Sequence, residues 1–245
     1  IMMEREWRAQ CAELAESPAP DIPEGRFNLV VPLSRCPSCG AQISPWQNIP
    51  VLSYLMLGGR CAACKAAISA RYPIVEFVTA LLVATVAWRF GASWQGLMAI
   101  VLTLFLVRIT MIDFDRCLIP DSIVLPLMWI GLGMSLWHPL PGADVLFIAP
   151  ADAIIGAIAG YLSLWSFYWL FKIVTGKEGM GYGDVKLLAA LGALLGYQYL
   201  FPIILMSAVV GATLCISLIV FRGRDHQVPM PFGPFLAGAG WITML

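Results

Sequence analysis

From Pro73 onward the chain is a succession of seven apolar segments, at roughly 74–90, 95–112, 118–137, 153–174, 185–200, 203–221 and 232–245. No other feature restricts the fold as strongly. Apolar runs of about 17 to 25 residues match the length of helix that crosses the hydrocarbon of a bilayer, and inside that hydrocarbon each backbone amide must find its partner within its own helix. Across the chain 60% of residues are hydrophobic and 12% charged, with a mean hydropathy of +0.81, which is more apolar surface than a soluble domain could hide. The class is an all-α polytopic membrane protein of about seven transmembrane helices, with the lipid bilayer as its first partner. A net charge of zero gives no reason to expect nucleic acid.

Sidedness follows from the basic residues, which concentrate on cytoplasmic loops. If the segments alternate, all fifteen lysines and arginines fall on one side except Arg89, with Arg108 inside a segment but close enough to the basic end to snorkel. The cytoplasmic side then holds the region before Pro73 and the loops at Arg116, Lys177 and Arg222. The longer loop from His138 to Asp152 is on the far side.

The first 25 residues are polar, carry no secretory signal pattern and read as a short amphipathic helix. Pro18, Pro20 and Pro23 break it, and an apolar stretch at 27–33 follows. Then come Cys36-Pro37-Ser38-Cys39 and, about twenty residues later, Cys61-Ala62-Ala63-Cys64, which is the spacing of a four-thiolate zinc ribbon. The segment between is too short for a core of its own, so a metal could supply the folding energy. Disulfides are the competing reading, and a reducing cytoplasmic compartment favours thiolates and zinc. Cys11, Cys117 and Cys215 lack partners at useful spacing. The domain division expected is 1–72, cytoplasmic with the four-cysteine motif, and 73–245, transmembrane.

Two acidic features interrupt the apolar pattern at the basic end. Asp184 stands in Gly181-Tyr182-Gly183-Asp184, where a helix re-enters hydrocarbon, and an ionisable group at such depth points to function. Gly181 and Gly183 leave room for another backbone, as an extended peptide substrate would need. The plainer reading makes Asp184 the N-cap of the next helix. The second feature runs Asp113-Phe114-Asp115-Arg116 and on to Pro120-Asp121. Two carboxylates sharing a proton can act as base and acid on water attacking a peptide carbonyl. No Ser/His/Asp set competes, since the two histidines are His138 and His226. Alternatively Asp113 and Asp115 end a helix with Arg116 as counter-ion, and Asp121 is a carboxylate favoured by a helix N-terminus. Glu76 reads as a first-turn carboxylate, and Gly156 and Gly160 as small residues at a helix contact.

The two CxxC pairs, Ile112-Asp113-Phe114-Asp115 running into Leu118-Ile119-Pro120-Asp121, Gly179-Met180-Gly181-Tyr182-Gly183-Asp184-Val185-Lys186, Arg71-Tyr72-Pro73 and Pro231-Phe232-Gly233-Pro234 together resemble the bacterial type IV prepilin peptidases, from about Phe27 to the C-terminus. The resemblance implies an inner-membrane aspartic protease of the GxGD class, with Asp184 and Asp113 as the catalytic pair. It also implies that prepilin and pseudopilin precursors are cut after glycine on the cytoplasmic side, and that the new amine is methylated from S-adenosylmethionine. No nucleotide-binding glycine turn is recognisable, so the methyl donor rests on the resemblance alone. Two departures stand out: the family has eight membrane helices beginning near its N-terminus, so a helix is expected to be missing here, and the stretch 143–150 is longer than the family's loop. The rival function is a zinc-ribbon-bearing transporter or channel using the carboxylates as a proton relay, although transport sites cluster at mid-depth and the two halves show no repeat.

Overall fold

The structure is a computed structural model and describes residues 35–36, 38–49, 51–137, 146–176, 179–222 and 231–245. The expected N-terminal amphipathic helix, its proline break, the apolar stretch 27–33, Lys177 and most of the loop after His138 lie outside these residues. The chain divides into two compact units, Ile1–Val78 and Thr79–Leu245.

In the first unit the two CxxC motifs form matching knuckles. Arg35 pairs with Gln42 and Arg60 with Ala67 as single antiparallel bridges. Within them Cys36 N–H donates to Ala41 O at 2.9 Å and Cys61 N–H to Ala66 O at 2.8 Å. Between the knuckles lie a 3-10 turn, Pro45–Asn48, and a short helix α1, Leu52–Met56. Ser53, buried, donates to Gln47 O at 2.6 Å and turns one face of α1 inward. Leu52, Leu55 and Met56, spaced i, i+3, i+4, are exposed on another face. Glu76 accepts the N–H of Val51 at 3.1 Å. It stands in the second turn of α2 (Arg71–Phe90), because that helix starts before Pro73, and so the first-turn expectation is replaced by a loop-tethering one.

Beyond α2 follow α3 (Trp94–Arg116), α4 (Asp121–Ser135), α5 (Pro150–Thr175), α6 (Tyr182–Leu195), α7 (Leu200–Arg222) and α8 (Gly233–Met244). These seven helices, α2 to α8, coincide with the seven apolar segments. Four stretches, Arg71–Phe90, Trp94–Arg116, Pro150–Thr175 and Tyr197–Ser217, are long and apolar enough to cross a membrane. Helices α4, α6 and α8 have 15, 14 and 12 residues. At about 1.5 Å per residue α4 and α6 fall short of the roughly 30 Å hydrocarbon core. Of the seven helices expected to lie in the membrane, four are full-length span candidates among the described residues.

Helix α6 is the centre of the second unit. From Asp184 to Leu195 every residue but Lys186 is buried, as expected of a helix apolar on all sides. Its neighbours reach it through glycines. A β-carbon added to Gly160 of α5 would lie 2.7 Å from Leu188 O, and Gly156 lies against the backbone of Gly192. On other sides of α6, Gly131 of α4 faces Leu194 and Gly240 of α8 faces Leu191, each 2.8 Å from an added β-carbon. The small-residue pair at 156 and 160 is thus a helix contact, as its spacing implied. Between α3 and α8, Trp241 Nε1 donates to the buried Thr103 Oγ1 at 3.1 Å.

The helix ends sort by charge within this unit. The end of α3 with Arg116, the end of α5 with Lys172 and the start of α6 with Lys186 gather at one end of the bundle, where the Tyr168 and Tyr182 rings lie 4.8 Å apart. Arg89 is at the other, its Nε donating to Leu245 O at 3.1 Å.

Candidate active site and metal centre

Asp113 lies in the last turn of α3 and is 4% exposed. Asp115 is exposed. The difference follows from geometry, since two residues on an α-helix are about 200° apart around its axis. The Asp113 carboxylate is held from α8: Gly233 N–H donates to Oδ2 at 3.0 Å. Helix α3 then stops at Cys117, in the left-handed region at φ 50, whose N–H closes on Asp113 O at 2.8 Å. This turn carries the chain through Ile119, 7% exposed, into α4.

Asp184 is 7% exposed. Gly181 occupies the N-cap and Asp184 the third helical position, so the reading of Asp184 itself as the cap does not hold. Its N–H donates to Gly181 O at 3.2 Å. Its Oδ1 is buried and has no hydrogen-bond partner among the described residues. A buried polar atom without a partner costs free energy, of the order of 1–3 kcal/mol, and invites a functional explanation.

Ile119 lies between the backbones that carry or hold the two carboxylates. An added β-carbon at Gly183 would lie 2.7 Å from Ile119 Cβ, and one at Gly233 would lie 2.8 Å from Ile119 Cδ1 and 2.6 Å from Asp113 Oδ2. The side of Gly183 that would bear a side chain is therefore occupied by Ile119. Gly181 is open, with nothing nearer an added β-carbon than Asp184 Oδ2 and Gly183 N at 3.9 Å. Asp121 stands apart from the buried acids, in an ion pair with Lys186.

Sequence reasoning missed Ile119, an apolar residue among apolar residues, and the part played by Gly233, which stood out only within its Pro-Phe-Gly-Pro run. It also missed a cluster behind Tyr182. Tyr168, 4% exposed, packs its ring on Tyr182, and Lys172 Nζ lies 5.6 Å from the Tyr168 ring centre and 5.5 Å from that of Trp169.

The four sulfurs of Cys36, Cys39, Cys61 and Cys64 lie within 4.8 Å of one another. Cys36 and Cys64 Sγ are 3.8 Å apart, too far for a disulfide and equal to the edge of a sulfur tetrahedron with metal–sulfur bonds of about 2.3 Å. Backbone amides of Cys39 and Ser38 draw the pKa of the Cys36 thiol down to about 6, whereas Cys64, lowered by the Ala66 amide but raised more by the sulfurs of Cys39, Cys61 and Cys36 and by burial, is pushed up to about 11, so Cys36 is the readier thiolate of the two. The donor set fits a closed structural zinc site.

A helical membrane bundle with two buried acids at its basic end, joined to a four-thiol knuckle pair, is the class of protein that these features define. Residues 14–90 match the bacterial peptidase A24 N-terminal domain, and residues 100–216 match the type IV leader peptidase family. The chain is 52% identical over 244 residues to the prepilin leader peptidase/N-methyltransferase of Pseudomonas aeruginosa, covering 100% of this chain and 81% of that protein. It is 52% identical over 246 residues to the protein of the same name from Stutzerimonas stutzeri, covering 100% and 82%. To that of Xanthomonas campestris it is 47% identical over 245 residues, covering 98% and 81%. No solved structure matches. The chain belongs to the type IV leader peptidase family. Both matched domains are peptidase domains, and this removes the ground for a proton-relay transporter.

Proposed function

We propose that this protein is a membrane-embedded aspartic endopeptidase that removes the basic leader from type IV prepilin and pseudopilin precursors, at the cytoplasmic face of the bacterial inner membrane. The observation that carries the proposal is the pair Asp113 and Asp184: two buried acids from separate helices, linked through Ile119, which packs on Gly183 beside one and on Gly233 that holds the other, with one oxygen of Asp184 lacking a partner among the described residues. Such a pair can hold a water between its oxygens. One carboxylate takes the water's proton as it attacks the scissile carbonyl, and the protonated partner gives its proton to the leaving nitrogen. Gly181 offers an open backbone edge beside Asp184 for the extended substrate. Gly183, expected to leave room for the substrate, gives its space to Ile119 instead, which keeps the turn after α3 close to α6.

The relatives' names also include N-methyltransferase, and we extend it to this chain as a second activity using S-adenosylmethionine as methyl donor. No residue is assigned to that donor. Zinc at Cys36, Cys39, Cys61 and Cys64 would tie the two knuckles together and fold the region from 35 to 67. In this reading residues 1–72 are a cytoplasmic region that carries the metal motif and residues 73–245 are the protease domain in the membrane.

The test is cleavage of a pilin precursor by detergent-solubilised protein, read by mass analysis. Asp113→Asn and Asp184→Asn should each lower turnover by roughly 10³-fold or more, as for groups that act as a unit, with insertion into the membrane unchanged. Full activity in Asp184→Asn would end the aspartic mechanism. Normal cleavage by Asp113→Asn together with failure of Asp115→Asn would move the partner within its cluster.

A further inference from the structure

We propose that Gly233 is a positioning residue for the cleavage reaction: its backbone N–H fixes the orientation of the Asp113 carboxylate, and its lack of a side chain is what permits the contact. The inference rests on the aspartate pair proposed above.

The terminal torsion of an aspartate is broad and nearly two-fold, so a buried carboxylate without a fixed donor has no single orientation. Gly233 supplies that donor, at 3.0 Å from Oδ2. It can do so because it is the first residue of α8, where backbone N–H groups have no partner inside the helix. Pro234 follows and has no N–H to offer in its place. With Oδ2 engaged, Oδ1 of Asp113 is the oxygen left for the reacting water. A hydrogen bond to an ionised acceptor is among the stronger kinds, and at 4% exposure little solvent competes for it.

Space is as restrictive as polarity. An added β-carbon at 233 would stand 2.6 Å from Asp113 Oδ2 and 2.8 Å from Ile119 Cδ1, while Ile119 Cβ is itself 2.7 Å from the place of a β-carbon at Gly183. Gly233, Ile119 and Gly183 thus form one stack, running from the holder of Asp113 to the residue beside Asp184. A side chain at 233 would either turn the carboxylate or press Ile119 against α6.

These two effects can be separated. In Gly233→Ala the N–H remains but the new methyl would displace the Asp113 carboxylate from it, and we expect kcat on a prepilin substrate to fall by roughly 10²-fold, the scale of losing one oriented donor from an active site. KM should stay within about threefold, because binding is not what is lost. Ile119→Val deletes the Cδ1 that the new methyl would meet and leaves the Asp113 contact untouched. If Gly233 acts only through packing, kcat of Gly233→Ala/Ile119→Val returns to that of Ile119→Val; if it positions Asp113, the double variant stays impaired. Should Gly233→Ala fail to fold, glycolic acid incorporated at 233 replaces the N–H by an ester oxygen with no added volume, and the same loss of kcat is expected. Recovery in the double variant, a change confined to KM, or unchanged kcat in Gly233→Ala or the ester overturns the proposal. Asp113→Asn assayed in parallel distinguishes the two levels. If it still cleaves, the aspartate reading fails; if it is inactive while the ester variant is fully active, only the role of Gly233 fails.

Discussion

Lys186 Nζ reaches both carboxylate oxygens of Asp121 at 2.7 Å, joining the first residue of α4 to the beginning of α6. The side chains are 30% and 54% exposed, so solvent screens the pair and its net worth is under about 1 kcal/mol. It ties the ends of the two helices without entering the space between the buried acids. Asp121→Asn should therefore keep cleavage within about fivefold of the parent and lower Tm by only a few degrees. A loss as complete as that of Asp184→Asn would place Asp121 in the reacting pair.

Metal content provides a second check. Purified protein should carry one zinc per chain, and Cys36→Ser should lose it, because a closed four-thiolate site does not tolerate three ligands well. Chelation should open the region from 35 to 67 to protease while the helical signal of the membrane bundle persists. Zinc-free wild-type protein with its native fold, or disulfides among these four thiols, would refute the assignment.

A third prediction comes from the likeness of the knuckles. Gly40 and Lys65 each follow the second cysteine of their motif and share the left-handed conformation, at φ 71 and φ 60. For lysine this conformation costs about 1–2 kcal/mol, which glycine avoids at some expense in chain entropy. Lys65→Gly should raise the stability of the zinc-bound region by up to about 1 kcal/mol, seen as greater resistance to chelator. A weaker site in that variant would mean that the lysine side chain, and not the backbone, decides the turn.

Topology is open to cysteine labelling from outside the cell. A reporter at 143 should react and one at 175 should not, given that Arg116, Lys172 and Lys186 share one end of the bundle. Gly179 is a poor reporter site because a β-carbon there would meet the Phe171 ring at 2.5 Å. The opposite labelling pattern would put the acids on the wrong face for a cytoplasmic leader.

The sequence announced the helices because lipid demands long apolar runs, and the metal knuckles because sulfur ligands must be spaced. Asp113 and Asp184 were legible for a related reason: a carboxylate inside an apolar run is costly enough to stand out. Their partners were not legible. The hold on Asp113 comes from a backbone amide 120 residues away, and a backbone donor leaves no mark on residue type. Ile119 is concealed among its apolar neighbours, and its importance lies in where two glycines have made room for it. The choice of Asp113 over Asp115 rested on the family resemblance; the physical difference between them, one buried and one exposed, depends on which face of α3 meets α8, and residue types alone do not mark that face.

Helix α6 is enclosed by protein along nearly its whole length and has 14 residues. A lipid-facing helix that short would have to thin the bilayer or draw its flanking polar groups inward. Surrounded by α4, α5, α7 and α8, it meets no acyl chains and is relieved of matching their length. Changes in membrane thickness should then fall on the longer outer helices, which can tilt, and leave the place of Asp184 relative to α3 and α8 unchanged.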